Sequence, residues 1–201
     1  MSATPITAVV AALPYSLPRG KQRVEVQRLH ARYAVRIAAE LAHARLSGLP
    51  KSADDVPQPS NGWHWSLSHS ASSVAGIVHR EPVGIDVEDR REIRAEVIER
   101  VLHPDEIALF EQRGEPAFLR AWTAKEALLK ELGLGLAGLS ECRVTAVDDG
   151  GLDLRFRGEA RRIHQLVEPS RVVSVSTRGC DEVKFIVFRD KFRDVQEPQW
   201  S

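Results

Sequence analysis

Trp122-Thr-Ala-Lys-Glu-Ala-Leu-Leu-Lys130 is the stretch that decides how this chain is built. It lies within a run that opens at Pro116 and stops at Gly133-Leu-Gly135. Proline fits the first turn of a helix and glycine the position just past its end, so the run predicts a helix from Pro116 to about Leu132. Phe118, Trp122, Leu129 and Leu132 form an apolar stripe for packing, and Lys125 lies along it. Glu126 and Lys130 stand four residues apart, which places them on one helix face. Taken alone, they are either a surface ion pair of small energetic weight or part of a site.

Upstream, Val83-Gly-Ile-Asp-Val-Glu88 reads as a strand. Successive side chains of a strand point to opposite faces, so Val83, Ile85 and Val87 face one way and Gly84, Asp86 and Glu88 the other. A hydrophobic core would not hold two bare carboxylates. Their face is therefore either in water or a site for a hard cation, since Mg²⁺ takes oxygen ligands and commonly one or two carboxylates. The residues themselves leave both readings open.

Outward from these two elements the pattern is mixed. Residues Ile6 to Leu13 read as a strand, and Lys21 to Leu46 as a long helix with Val24, Ala31, Val35, Ala38 and Ala42 at helical spacing. Lys51 to Gly62, rich in Pro, Ser, Asp and Asn, reads as a loop. Trp63, Trp65 and Leu67 alternate with polar residues as a half-buried strand does, and Val74 to His79 reads as its hairpin partner. Pro104 starts a helix with Asp105 and Glu106 facing the positive end of its dipole. Cys142–Val147, Gly151–Phe156, Arg171–Thr177 and Val183–Arg189 read as strands, and the tail from Asp190 as loosely ordered. The fold class is α+β. A faint echo links Ser66-Leu-Ser68 followed by Val74–Val78 with Ser174-Val-Ser176 followed by Val183–Val187, each as a strand, turn and strand.

The bulk numbers are those of a soluble globular chain: 201 residues, 43% hydrophobic and 28% charged. A net charge of zero argues against a nucleic-acid or membrane partner for the molecule as a whole. No apolar run is long enough to span a bilayer, and Met1-Ser-Ala-Thr-Pro5 lacks the basic start of a signal peptide. Two cysteines, Cys142 and Cys180, make no disulfide framework and fit a reducing, cytoplasmic setting. Charge is concentrated between Arg19 and Lys51, with eight Lys/Arg against two acids. That excess is either a solvated helix face or an anion site.

A third signal is Ser66-Leu-Ser68-His69-Ser70 at a strand end. One His among small hydroxyls is usually structural or simply exposed, but at a strand end side chains and backbone N–H groups are also free for a ligand.

The order of these three motifs, with Leu102-His-Pro-Asp-Glu106 between the last two, resembles the 4′-phosphopantetheinyl transferases of the larger, surfactin-synthetase-activating type. The resemblance covers about residues 62 to 139. It implies a pseudo-dimer of two similar α/β halves with coenzyme A between them. The halves would be residues 1–82, on the nucleotide side, and 83–201, with the metal site and catalytic helix. It implies transfer of the 4′-phosphopantetheine arm of coenzyme A to a serine of an apo acyl or peptidyl carrier protein, with release of adenosine 3′,5′-bisphosphate. Asp86, Glu88 and Glu126 would hold Mg²⁺, or Mn²⁺ in its place. Glu126 would serve as base and Lys130 would meet the leaving phosphate. Ser68 and His69 would contact the coenzyme A phosphates, and Arg32 its 3′-phosphate, with Arg36 and Lys51 as weaker matches. Lys125 matches a family position for cofactor binding, and its place on the apolar stripe equally fits a structural role. A pseudo-dimer should act as a monomer.

The chain departs from the family pattern in two ways that bear on the adenine-side contacts: its N-terminal half is short, and a nucleotide-contacting motif lacks a clear copy. Where many members carry Gly-Arg-Pro or Gly-Lys-Pro, this chain has Pro50-Lys-Ser-Ala-Asp-Asp-Val-Pro57. Leu102, Ile107 and Phe110 could be carrier-protein contacts or core. Two other functions compete: another Mg²⁺-dependent enzyme of phosphate esters, although no P-loop sequence is present, and a non-catalytic carrier-binding relative.

Overall fold

Two sheets pack face to face, each with one long helix on its outer side. The computed structural model describes residues 5–14, 17–179, 182–188 and 200. In chain order the elements are β1 (Ile6–Ala12), α1 (Lys21–Leu41), β2 (His64–His69), β3 (Ser73–His79) and β4 (Val83–Asp89). Helices α2 (Ala95–Val101), α3 (Pro104–Ile107) and α4 (Glu115–Leu132) follow, then a 3₁₀ segment, Gly135–Glu141. The chain continues with β5 (Cys142–Asp148), β6 (Gly151–Phe156), β7 (Glu159–Val167), β8 (Arg171–Thr177) and β9 (Val183–Phe188). The first sheet has the order β2-β3-β1-β9 and the second β4-β8-β7-β6-β5. The α+β expectation holds.

The core forms three apolar layers. Ala31, Ala34, Val35 and Ala38 of α1 pack on Val9, Ala11, Val74 and Val78 of the first sheet. Between the sheets, Ala8, Val10, Ala75 and Ile77 meet Val83, Ile85, Val87, Val173 and Val175. Phe118, Leu119, Ala121, Leu128 and Leu129 of α4 pack on Leu152, Leu154, Ile163 and Val172 of the second sheet. The period-2 reading of β4 is thus correct: its apolar face lies between the sheets and its polar face turns elsewhere. Among the described residues, no helix is long and apolar enough to cross a membrane.

Four readings need correction. Helix α1 ends at Leu41, not Leu46, because the Ala42 N–H closes on Ala38 and His43 takes a positive φ of 51°. Leu46 kept the apolar pattern going because the chain folds back and buries it in the α1 core. Val24, read on the apolar face of that helix, is exposed. Strand β7 went unread. It pairs with β6 across Arg157-Gly158, both at positive φ, as a two-residue hairpin turn requires. The echo of two strand–turn–strand units does not hold either: β2 and β3 pair with each other, whereas β8 lies in the second sheet and β9 runs parallel to β1 in the first. Cys142 is a buried free thiol, and burial raises its pKa to about 11. Cys180 and, apart from Trp200, the tail from Asp190 lie outside the described residues.

Candidate active site

Helix α4 can lie close over β4 because Gly84 has no side chain. A Cβ at Gly84 would fall inside contact distance of the Ala127 carbonyl and 2.6 Å from the Glu131 nitrogen. A seam of polar groups fixes the helix's rotation over the neighbouring strands. Thr123 Oγ1 and Ser174 Oγ share a hydrogen bond of 2.7 Å, Gln165 Nε2 donates to Ser174 Oγ at 2.8 Å, and Arg120 Nε donates to Gln165 Oε1 at 2.9 Å. With α4 so placed, Trp122, Glu126 and Lys130, spaced four apart, face Asp86 and Glu88 of β4.

The end of β2 closes the third side. The Ile85 N–H donates to Ser66 Oγ at 3.1 Å, and Ser68 Oγ donates to Asp86 Oδ1 at 2.7 Å, so β2 is stitched to β4 across the two sheets. These elements line a groove of about 730 Å³ together with Arg28 and Arg32 of α1 and Lys51 and Asp55 of the loop after it. That volume suits a small-molecule ligand. Its lining includes the cations Arg28, Arg32, Lys51 and Lys130 and the acids Asp55, Asp86, Glu88 and Glu126.

Charge in the groove is tightly coupled. Lys130 Nζ donates to Asp86 Oδ1 at 2.7 Å and to the Ile85 carbonyl at 3.2 Å. Asp86 is 5% exposed, and its Oδ2 is buried without a hydrogen-bond partner. Burial raises the pKa of Glu126, the charge of Asp86 raises it further, and Lys130 offsets part of the rise. Burial and then Asp86 raise Glu88 in the same way, opposed by Arg91, whose Nη2 lies 3.5 Å from Glu88 Oε2. His69 is shifted down by burial and by the nearby Lys130 and Arg28, which favours its neutral form. Among the described residues, no three His, Cys, Asp or Glu side chains are drawn together as a metal cage.

Most of the residues expected from sequence meet here: Arg32, Ser68, His69, Asp86, Glu88, Glu126 and Lys130 all line the groove. Lys51 lines it too, also bonding Asp55 at 2.9 Å, while Arg36 pairs with Glu40 on the helix surface. Lys125 is not brought to the others. It is 1% exposed and donates to Glu106 Oε1 and to the Val101 carbonyl, each at 2.9 Å. Glu106, fully buried, also accepts the N–H groups of Val144 and His103. Leu102 and Phe110 are core residues beside them. Sequence reasoning passed over Arg28 and Trp122 as site residues. Arg28 is four residues before Arg32 and Trp122 four before Glu126, so helical spacing carried a signal for both.

Comparison with known proteins finds relatives that share this stretch. A model of the 4′-phosphopantetheinyl transferase superfamily matches residues 82–179. The chain is 31% identical over 158 residues to the 4′-phosphopantetheinyl transferase psf-1 of Bacillus pumilus, covering 75% of this chain and 66% of that protein. It is 31% identical over 77 residues to the 4′-phosphopantetheinyl transferase gsp of Aneurinibacillus migulanus, covering 36% of this chain and 32% of that protein. Against the 4′-phosphopantetheinyl transferase Sfp of Bacillus subtilis it is 30% identical over 78 residues, with 37% and 35% covered. The matched stretch is thus less than two thirds of the length of each relative. These matches, which take in the strand and helix that build the groove, make the chain similar to the 4′-phosphopantetheinyl transferases.

Proposed function

We propose that this chain transfers the 4′-phosphopantetheine arm of coenzyme A to a serine of an apo acyl or peptidyl carrier protein. The observation that carries the reading is one groove lined by the acids Asp55, Asp86, Glu88 and Glu126 together with the cations Arg28, Arg32, Lys51 and Lys130. A bisphosphorylated nucleotide offers anionic groups to Arg28, Arg32 and Lys51, and the acids offer sites for a metal and a proton.

Asp86, Glu88 and Glu126 fit a divalent cation. Asp86 Oδ2 is buried and unpartnered, and Asp86 raises the pKa of both Glu88 and Glu126, so the set carries more negative charge than Lys130 and Arg91 balance. Asp86, Glu88 and Glu126 would hold Mg²⁺ or Mn²⁺. Such an ion supplies neutralising charge to the pyrophosphate under attack. The chain's own groups do the rest. Ser68 and His69 meet the pyrophosphate at the strand end, and Arg32, with Arg28 beside it, meets the 3′-phosphate. The serine oxygen of the carrier bonds to the phosphorus that bears the pantetheine arm. The pyrophosphate P–O bond breaks, and its electron pair leaves with the 5′-phosphate of adenosine 3′,5′-bisphosphate. Glu126 takes the serine proton, directly or through water. Lys130 stabilises charge on the departing phosphate.

The architecture is read in the same way. The halves divide at residues 82 and 83, in the turn between β3 and β4, and together form a pseudo-dimer that acts as a monomer in the cytoplasm. Support comes from the layering, with one sheet and one long outer helix in each half; β9 returns from the second stretch to border β1. To test the function, release of adenosine 3′,5′-bisphosphate is followed from coenzyme A and Mg²⁺ with and without an apo carrier protein. Release that requires the carrier supports transfer; equal release without it makes the chain a hydrolase.

A further inference from the structure

Lys130 carries a second role, which rests on the transferase reading above. The ammonium sits 2.7 Å from Asp86 Oδ1, and Ser68 Oγ is 2.7 Å from the same oxygen. Asp86 is therefore a carboxylate with one oxygen doubly bonded by donors and the other buried and bare. A divalent ion at Asp86 would meet the ammonium as a like charge across one carboxylate. At a few ångströms in a partly buried site, such repulsion is strong. Lys130 and the ion cannot both use Asp86 at low cost.

The alternative place for the ammonium is along the same groove. Lys130 is on a flexible four-carbon stem with its side chain 30% exposed, so it can turn without disturbing the core. A pyrophosphate held by Ser68 and His69 at the strand end would lie next to it, since both residues line the groove with Lys130 and the Lys130 charge already acts on His69. We infer that Lys130 is an exchangeable internal cation: it occupies Asp86 in the free protein and moves to the phosphates when coenzyme A binds, which opens Asp86 to the divalent ion. Metal binding then follows nucleotide binding. By linkage, each ligand tightens the other by the same factor.

The test is calorimetric titration of the full-length protein with Mg²⁺, with and without saturating coenzyme A, for the wild type, Lys130→Met and Lys130→Gln. Met and Gln both remove the charge, and Gln keeps a donor for Asp86. Melting curves of the same samples show that each variant is folded and read bound Mg²⁺ independently. The wild type should bind Mg²⁺ weakly alone and more tightly with coenzyme A. Both variants should bind Mg²⁺ alone at least about tenfold more tightly than the wild type does alone, the size of one charge-assisted hydrogen bond. If coenzyme A tightens Mg²⁺ binding in the wild type but neither variant alone binds it better than the wild type alone, the exchange is overturned and the metal site stands. If no protein binds Mg²⁺ even with coenzyme A, the metal site falls and the exchange with it.

Discussion

Gly84 of β4 and Ala127 of α4 touch backbone to backbone, so closely that a methyl group at Gly84 would collide with the Ala127 carbonyl oxygen. Both partners in that collision are main chain, one in a central sheet and one in a buried helix. Neither can yield without shifting the whole element. The contact sets the distance between the acids of β4 and the Glu126–Lys130 face of α4.

Gly84→Ala should therefore destabilise the protein by about 3 kcal/mol or more, as overpacking against rigid backbone does. It should also depress transfer beyond the loss of folded protein. Urea unfolding and activity per folded molecule separate the two effects. A variant of near wild-type stability and activity would mean that the helix does not lie where the structure places it.

Glu126 is expected to trade stability for function. Burial and the Asp86 charge disfavour its ionised form, so Glu126→Gln relieves repulsion in the metal-free protein. Its melting temperature at neutral pH should rise, by about 0.5–2 kcal/mol in stability, the usual range for easing a functional site. Transfer should fall by at least about a hundredfold, the typical weight of a general base. Differential scanning calorimetry and a turnover assay read both. A lower melting temperature would show that Glu126 supports the fold.

The sequence displayed the groove-lining residues of this picture and hid their supports. Alternation in Val83–Glu88 correctly put Asp86 and Glu88 on one face, and four-residue spacing put Glu126 and Lys130 on another, because both periods are set by backbone geometry alone. That these two faces meet was suggested only by resemblance, since it depends on Gly84, whose missing side chain leaves no pattern. Strand β7 escaped because its Arg161, Arg162 and His164 interrupt the apolar alternation, leaving Ile163 as its fully buried apolar residue. Lys125 was legible as a misfit on an apolar stripe. Its partner Glu106 lies in a different helix, and nothing local links the two.

That pair yields a stability prediction. Lys125 and Glu106 are buried and bonded to each other, and Glu106 also ties the ends of α2 and α3 to the edge of β5. Removing one partner strands a buried charge. For Glu106, Arg143 Nη1 at 4.0 Å from Oε2 compensates only part of it. Lys125→Met or Glu106→Gln alone should therefore cost about 3–5 kcal/mol. The double variant should cost clearly less than the sum, since no charge is then stranded. A double-mutant cycle by chemical denaturation measures this, and simple additivity would contradict the pairing.

Glu131 supplies the pH dependence. It is 8% exposed, accepts a hydrogen bond from Ser176 Oγ through one oxygen and buries the other without a partner. Burial raises its pKa above 4.5, and Ser176, Arg161 and Arg178 counter only part of the rise. With a folded value above the unfolded one, its favourable contribution is complete below pH 4.5 and is lost as pH rises through the raised value. Glu131→Gln should therefore match the wild type near pH 4.5 and exceed it by about 1 kcal/mol at pH 8, the scale of one unsatisfied buried group. Denaturant midpoints across that range show the difference. An advantage that shrinks as pH rises would reverse the sign of the argument.

The most direct measurement is the mass of an apo carrier protein after incubation with coenzyme A, Mg²⁺ and this protein, run beside the Glu126→Gln variant on a panel of fatty-acid, polyketide and nonribosomal-peptide carriers. The transferase reading predicts a gain of about 340 Da, the mass of one phosphopantetheine arm as a covalent modification, on the target serine of at least one carrier. It predicts no gain with the variant over the same time. An unmodified panel, or equal modification by wild type and variant, would contradict it.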